Sequence, residues 1–184
     1  MKILGIIGSP RKGGNSAILV EQVVNGGAGK WAQAECVTLS DLSIAPCTAC
    51  GACKQSGGVC VQKDDMIGLV EKMKAADALI LATPVYYGDV TAQMKICIDR
   101  CYCLMDMQFN SELKGKKVAL VTTCAQPQDD MTEHTLKTLQ QFCGFNQMQI
   151  LGEIKGSGVV MPGEAKEKAD LMNAAKGLGE KLAG

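Results

Sequence analysis

A glycine-rich turn near the start of the chain has the residue types of a phosphate-binding loop. The turn spans residues 8–16, reads GSPRKGGNS, and follows the apolar segment 3–7, which predicts a buried strand. The apolar periodicity of residues 17–24 predicts a helix directly after it. Free backbone N–H groups and the positive end of a helix dipole point into such a turn, so we expect it to bind a phosphate group.

The spacing within this turn narrows the kind of phosphate ligand. Gly8 and Gly13 are separated as in the loop of nucleoside triphosphatases, but that loop continues with Lys and then Ser or Thr. Gly14 and Asn15 stand at those positions here. The dinucleotide fingerprint G-x-G-x-x-G is also missing from the turn. A ligand with a single terminal phosphate therefore fits best.

Four cysteines are concentrated in one short stretch. Cys47, Cys50, Cys53 and Cys60 have the spacing C-x2-C-x2-C-x6-C. Bacterial ferredoxins hold iron–sulfur clusters with a similar compact run, although their last spacer is shorter and a proline follows the fourth cysteine. Four thiols also suit a tetrahedral zinc site, or they can remain without metal. The other six of the ten cysteines are expected to be packing residues.

A second loop with distinctive chemistry follows the third predicted strand. Residues 83–88 read TPVYYG. Because the proline restricts the backbone and the glycine ends the turn, Tyr86 and Tyr87 can lie along the face and edge of a planar ring. The simpler interpretation, that both tyrosines are packing aromatics, stays open.

The elements that must position these loops alternate between strands and helices. Apolar segments predict strands at 3–7, 34–39, 77–82, 117–122 and 147–151. Helices are predicted after the first turn, from Asp64, from Thr91 to about Met105, from Asp129 to Cys143, and at the C-terminal end. The glycine-rich residues 152–164 predict a surface connection without chemistry.

This alternation predicts an open doubly wound parallel sheet. Right-handed crossovers place helices on both faces, and a ligand crevice forms at the carboxyl ends of the strands, where the strand order reverses. Loops 8–16, 83–90 and 122–130 are expected to meet in that crevice.

Composition excludes several partners. The 184 residues fit one domain, 1–184, with a cysteine-rich loop at 47–60. Nineteen basic residues balance nineteen acidic residues, so no basic field attracts nucleic acid or an anionic membrane. The N-terminal apolar run is too short for a signal peptide or a membrane span. We therefore expect a cytoplasmic protein with no nucleic-acid and no membrane partner.

The two loops resemble those of the flavodoxin-like NAD(P)H-dependent FMN reductases. The first turn is similar to their phosphate motif, residues 83–88 to their flavin loop, and Lys95, Asp99 and Arg100 to its usual continuation. The cysteine run with the segment 61–66 resembles the iron–sulfur flavoproteins of this fold. The resemblance covers essentially the whole chain and implies a flavodoxin-like open doubly wound five-stranded parallel sheet of order 2-1-3-4-5, with helices on both faces.

The resemblance also implies the cofactors and the residues that bind them. It implies that the FMN phosphate is held by Ser9, Arg11, Lys12, Gly14, Asn15 and Ser16, that the isoalloxazine is bordered by Pro84, Val85, Tyr86, Tyr87 and Gly88, and that the ring's other side is closed by Thr122, Thr123 and Cys124. It implies that a [4Fe-4S] cluster near FMN is bound by Cys47, Cys50, Cys53 and Cys60. The flavin carries the chemistry, so no side chain is assigned as a catalyst, and His134 is expected to be exposed.

Three functions follow as hypotheses. The leading one is an FMN-dependent redox enzyme that transfers electrons between a reduced donor and an acceptor, each a small molecule or a protein, through the cluster. The alternative is a cluster-free FMN or quinone reductase with NAD(P)H as co-substrate. The third is a single-electron carrier. It is disfavoured because such carriers use an acidic docking surface, whereas this chain has a net charge near zero and an additional cysteine loop. By analogy we expect a homodimer or homotetramer, in which Met94, Ile98, Leu104 and Met105 lie either at the interface or under the sheet.

Overall fold

Five parallel strands form the centre of the molecule. The computed structural model describes residues 1–31, 33–128 and 130–184. The strands are β1 (Lys2–Ile7), β2 (Gln33–Thr38), β3 (Ala78–Pro84), β4 (Lys117–Thr123) and β5 (Gln149–Gly156). They pair in the order β2-β1-β3-β4-β5. The predicted flavodoxin-like order is confirmed.

Helices cover both faces of this sheet. They are α1 (Asn15–Gly26), the short α2 (Ala52–Gln55), α3 (Met66–Ala75), α4 (Ala92–Arg100), α5 (Asp130–Phe145) and α6 (Ala169–Ala183). Helices α3, α4 and α5 pack on one face and α1 and α6 on the other. The three inner strands are apolar along their length because both of their faces are buried.

The α4 region is shorter than predicted. Instead of continuing to Met105, the α-helix ends at Arg100 and a 3-10 helix follows over Cys101–Leu104. The Cys103 thiol donates to the carbonyl oxygen of Arg100 at 3.3 Å, and Met105 is already extended. Met94 and Leu104 are buried in the chain's own core, whereas Ile98 and Met105 are half-buried. The start predicted for α5, Asp129, lies outside the described residues.

The prediction that residues 152–164 form a surface connection is wrong for its first part. β5 continues to Gly156 and pairs with β4 up to Thr123. A Cβ atom at Gly152 would lie 2.7 Å from a methyl carbon of Leu178, and one at Gly156 would lie 3.1 Å from the carbonyl oxygen of Thr122. These glycines therefore mark close packing within a strand rather than a turn.

Among the described residues, every helix is too short or too polar to cross a membrane.

Helices α1 and α6 approach each other so closely that two positions accept only glycine. A Cβ atom at Gly179 would lie 1.9 Å from the carbonyl oxygen of Val23, and one at Gly26 would lie 2.0 Å from that of Lys176. Both obstacles are backbone atoms, which a side-chain rotation cannot remove. This contact fixes α1, and with it the turn that precedes α1.

We expect Gly179→Ala to lower the free energy of unfolding by about 1–3 kcal/mol, because the added methyl group forces α1 and α6 apart. Gly177→Ala is the matched control, since Gly177 lies on the same helix and its Cβ would meet no atom within 4 Å. Alanine favours helix more than glycine does, so this control should be more stable by up to about 1 kcal/mol. Thermal or urea unfolding measures both values, and equal stabilities would contradict the packing described here.

Candidate functional site

The glycine-rich turn is held in place by backbone and hydroxyl contacts. The N–H of Gly8 donates to the carbonyl oxygen of Ala82 on β3 at 2.7 Å, and the Thr91 hydroxyl donates to the Gly8 carbonyl at 2.8 Å. At the far end of the turn, the Ser16 hydroxyl is 2.8 Å from that of Thr123. The turn is thereby fixed to the carboxyl ends of β3 and β4 and to the residue that precedes α4.

Two glycines shape the inside of the turn. Gly13 has a φ of +64°, a conformation that favours glycine. A Cβ atom at Gly14 would lie 3.0 Å from the carbonyl oxygen of Arg11 and 3.3 Å from the Ser9 hydroxyl. Gly14 is also the residue before α1, so the first N–H groups of that helix face this region. The geometry is that of an anion cradle at a helix N-terminus.

A cleft of about 220 Å³ lies beside the turn. Ten of the predicted cofactor-binding residues line it: Ser9, Arg11, Gly14, Asn15, Ser16, Pro84, Val85, Tyr86, Thr123 and Cys124. The three loops predicted to meet do meet here. Four other predicted residues are not in its lining: Lys12, Tyr87, Gly88 and Thr122. Lys12 is exposed, whereas the Thr122 side chain is buried and donates to the carbonyl oxygen of Ile154.

The cleft has a fourth wall that the sequence pattern did not predict. Val159, Val160 and Pro162 line it from the segment after β5. The side chain of Arg11 donates to the carbonyl oxygen of Val160 at 3.0 Å. Residues 157–164 therefore cover the turn instead of forming a connection without chemistry.

Asn15 anchors this covering segment. Its side-chain oxygen accepts hydrogen bonds from the N–H groups of Gly163 and Ala165 at 3.2 and 3.1 Å, and its amide nitrogen donates to the Met161 carbonyl at 3.0 Å. The amide was predicted to hold a phosphate. In the structure it holds the segment that closes the cleft, and Asn15 itself is buried.

The tyrosine loop is a tight turn at the edge of the cleft. The N–H and carbonyl groups of Tyr86 and Asp89 bond to each other at 2.9 and 3.2 Å. The two residues between them, Tyr87 and Gly88, both have positive φ values of 50° and 83°. Tyr86 is 40% exposed and Tyr87 is fully exposed, so neither packs in the core. The interpretation as packing aromatics is therefore not supported.

Two further side chains that the sequence singled out are Cys124 and His134. Cys124 is buried, and its thiol donates to the carbonyl oxygen of Gln126 at 3.2 Å. His134 is exposed, as expected, with its Nε2 atom 4.0 Å from a carboxylate oxygen of Asp89.

All four cysteines of the compact run line a second, open cavity of about 970 Å³. Cys47 and Cys50 are exposed, Cys53 and Cys60 are half-buried, and all are free thiols. Ala49 and Gly51 have positive φ values of 53° and 70°, which curl the chain between the first three cysteines. Hydrogen bonds from the backbone of Ala52 and the side chain of Thr48 lower the pKa of the Cys50 thiol.

These thiols share a cavity without forming a ready-made coordination sphere. Within residues 1–31, 33–128 and 130–184, no three Cys, His, Asp or Glu side chains lie close enough together to hold one metal ion. The donor set suits an iron–sulfur cluster or zinc, and the exposed first two cysteines must close in to bind either.

Helix α4 runs between the two sites. Thr91, which precedes it, contacts Gly8 of the glycine-rich turn, and Arg100, at its end, contacts Asp64 and Cys60. A nine-residue helix is about 14 Å long. No sequence pattern predicted a role for Arg100, which entered only through the resemblance.

Comparisons with known proteins agree with this architecture. Residues 1–157 match the family model of the NADPH-dependent FMN reductases. An iron–sulfur flavoprotein of Methanocaldococcus jannaschii is 33% identical over 100% of this chain and 96% of its own length. Another, from Archaeoglobus fulgidus, is 36% identical over 100% of this chain and 79% of its own.

Solved structures show the same fold. A Bacillus anthracis FMN-dependent NADH-azoreductase in complex with FMN has a TM-score of 0.71, with 14% identity over 100% of both chains. The family match and the full-length identities carry the assignment: this chain belongs to the NADPH-dependent FMN reductase family and is an FMN-dependent oxidoreductase.

Proposed function

We propose that this oxidoreductase binds FMN in the 220 Å³ cleft and exchanges its electrons with a partner through a [4Fe-4S] cluster held by Cys47, Cys50, Cys53 and Cys60. One observation carries the proposal. The four free thiols of the compact run line a single cavity, and this cavity lies at one end of the helix whose other end is fixed to the phosphate turn.

The residues around the cleft suit the parts of FMN. The backbone of 8–16 and the guanidinium of Arg11 supply donors and positive charge for a phosphate. Tyr86 and Tyr87 supply exposed aromatic surface for a planar ring at the mouth of the cleft. Because the cleft is small, it fits the phosphate end of the molecule and leaves the ring toward the tyrosine loop.

Bound FMN supplies hydride or single-electron transfer, and a bound cluster supplies single-electron transfer. The chain's own residues bind, orient and exclude water. Val159, Val160 and Pro162 cover the phosphate end, and Asn15 keeps them there. His134 and Cys124 are not required as acid or base, since His134 is exposed and the Cys124 thiol donates to a backbone carbonyl.

A cluster-free NAD(P)H-dependent FMN or quinone reductase is the second candidate. It is favoured by the separation of the four thiols, which among the described residues form no preassembled metal site. In that case the exposed tyrosine loop would be the surface where NAD(P)H and then the acceptor approach the bound flavin.

The assembly is also a proposal. We infer a homodimer or homotetramer whose interface includes the exposed part of the α4 region near Ile98 and Met105. Met94 and Leu104 cannot contribute to it, because both are buried within the chain.

We expect Cys50→Ala to remove iron and sulfide from the protein and to leave FMN bound, because Cys50 and the glycine-rich turn line different cavities. The parent protein, purified without oxygen, should contain about four irons and four sulfides per chain. Cys36→Ala is the matched control, since Cys36 is an exposed cysteine on β2 outside the run.

The measurement is iron, sulfide, zinc and FMN per chain, with a spectrum before and after NADPH is added. Flavin without iron that NADPH bleaches would contradict the cluster and support the second candidate. One zinc per chain would also contradict the cluster.

We expect Asn15→Ala to weaken FMN binding by about 10-fold, because the segment over the phosphate end loses its anchor. Backbone amides of residues 160–165 should also exchange faster with solvent. Asn173→Ala, on the exposed side of α6, is the control for loss of an asparagine. Unchanged exchange in 160–165 would show that Asn15 does not hold this segment.

A further inference from the structure

Arg100 is a deeply buried cation at the base of the cysteine loop. The residue is 2% exposed. Its guanidinium binds the Asp64 carboxylate with both arms, Nη1 to Oδ2 at 2.6 Å and Nη2 to Oδ1 at 2.9 Å. A buried ion pair of this kind depends on good geometry and on hydrogen bonds to its remaining groups.

The same guanidinium contacts both ends of the loop that carries the four cysteines. Nη1 donates to the carbonyl oxygen of Ala45, two residues before Cys47, at 2.7 Å. Nη2 lies 3.5 Å from the sulfur of Cys60, the last cysteine of the run. The Asp64 carboxylate in turn accepts from the N–H of Ala45 at 3.0 Å. One arginine and its carboxylate therefore join the entry and the exit of the loop.

The guanidinium has donor capacity beyond these bonds. Its buried Nε has no hydrogen-bond partner among the described residues. A planar fork that keeps its charge at every working pH and lies beside a cysteine sulfur is suited to stabilise negative charge on that sulfur.

We propose that Arg100 is a positioning residue that sets the reduction potential of the cluster. The inference rests on the proposed cluster. Reduction adds one electron, and so one negative charge, to the cluster, and no proton moves with it because Arg100 stays protonated. A cation and an N–H donor at the Cys60 sulfur favour the reduced form, so Arg100 raises the potential. Asp64 opposes this effect because its charge partly cancels that of Arg100.

The other cations near this cavity are placed differently. Lys95 also lines it, but its side chain is 54% exposed and pairs with Asp99 at 2.6 Å. Solvent and Asp99 therefore screen its charge. Lys54 donates to the carbonyl oxygens of Tyr102 and Met105 and lies 3.6 Å from the Tyr102 ring centroid. Lys95 is thus a matched control for the loss of a charge that contacts no cysteine.

The test compares Arg100→Lys, Asp64→Asn and Lys95→Met with the parent protein, all purified without oxygen. Dye-mediated potentiometric titration gives the midpoint potential of the cluster. The paramagnetic signal of the reduced cluster is the readout of this titration. Iron, sulfide and FMN per chain are measured on the same samples. Arg100→Lys keeps the charge but loses the fork, so one ammonium cannot reach Asp64, Ala45 and Cys60 together. Asp64→Asn is isosteric, removes the negative charge and keeps one oxygen that can accept from Arg100.

We expect the potential to fall in Arg100→Lys, to rise in Asp64→Asn and to stay at the parent value in Lys95→Met. A purely structural role would lower the iron content without moving the potentials in opposite directions. If Arg100→Lys loses its iron, Asp64→Asn alone decides the question. An unshifted potential in Asp64→Asn, or in an iron-replete Arg100→Lys, would overturn the proposal. A parent protein without iron would instead contradict the cluster itself, so the two failures are distinguishable.

Discussion

The contact between Gly8 and Thr91 is the constraint on which the site depends. Gly8 directly follows β1 and bonds through its N–H to β3, while its carbonyl accepts from the Thr91 hydroxyl. Thr91 is fully buried and also caps α4, since its hydroxyl oxygen accepts from the N–H of Met94 at 3.2 Å. A Cβ atom at Gly8 would lie 3.0 Å from both Thr91 and Met94. This contact thus joins the glycine-rich turn to the tyrosine loop and to α4, at the point where the strand order reverses.

Helix α4 connects the contact between Gly8 and Thr91 to the cavity that the four cysteines line. Its start is fixed to Gly8 in the glycine-rich turn and its end presents Arg100 to the cysteine loop, so one helix supports both the cleft and the thiols. Lys54 also ties the loop to the carbonyl oxygens of Tyr102 and Met105, while Cys47 and Cys50 stay exposed. Asp64 and Arg100 fasten the base of this loop, because together they contact Ala45 and Cys60.

Much of the fold could be predicted because the signals are local. Continuous apolar runs identified the inner strands, and the glycine-rich turn identified the switch point of the sheet. The segment 157–164 could not be recognised, because its role comes from hydrogen bonds to Asn15 and Arg11, which lie about 150 residues away in the chain. The glycines at 152 and 156 led to the prediction of a loop. The local sequence does not reveal that Leu178 lies against Gly152 and that β4 lies against Gly156. The side of α4 that is buried was likewise undecided until the packing of Met94 and Leu104 was known.

The most direct test of the central claim compares the binding of FMN and riboflavin to the FMN-free protein. Fluorescence titration measures both affinities under the same conditions. If the turn at 8–16 holds the phosphate, FMN should bind at least about 100-fold more tightly, because charge-assisted hydrogen bonds contribute about 1.5–3 kcal/mol each and 1.4 kcal/mol is tenfold. Inorganic phosphate should then compete with FMN but not with riboflavin. Equal affinities for the two flavins would contradict the placement of the phosphate in this turn.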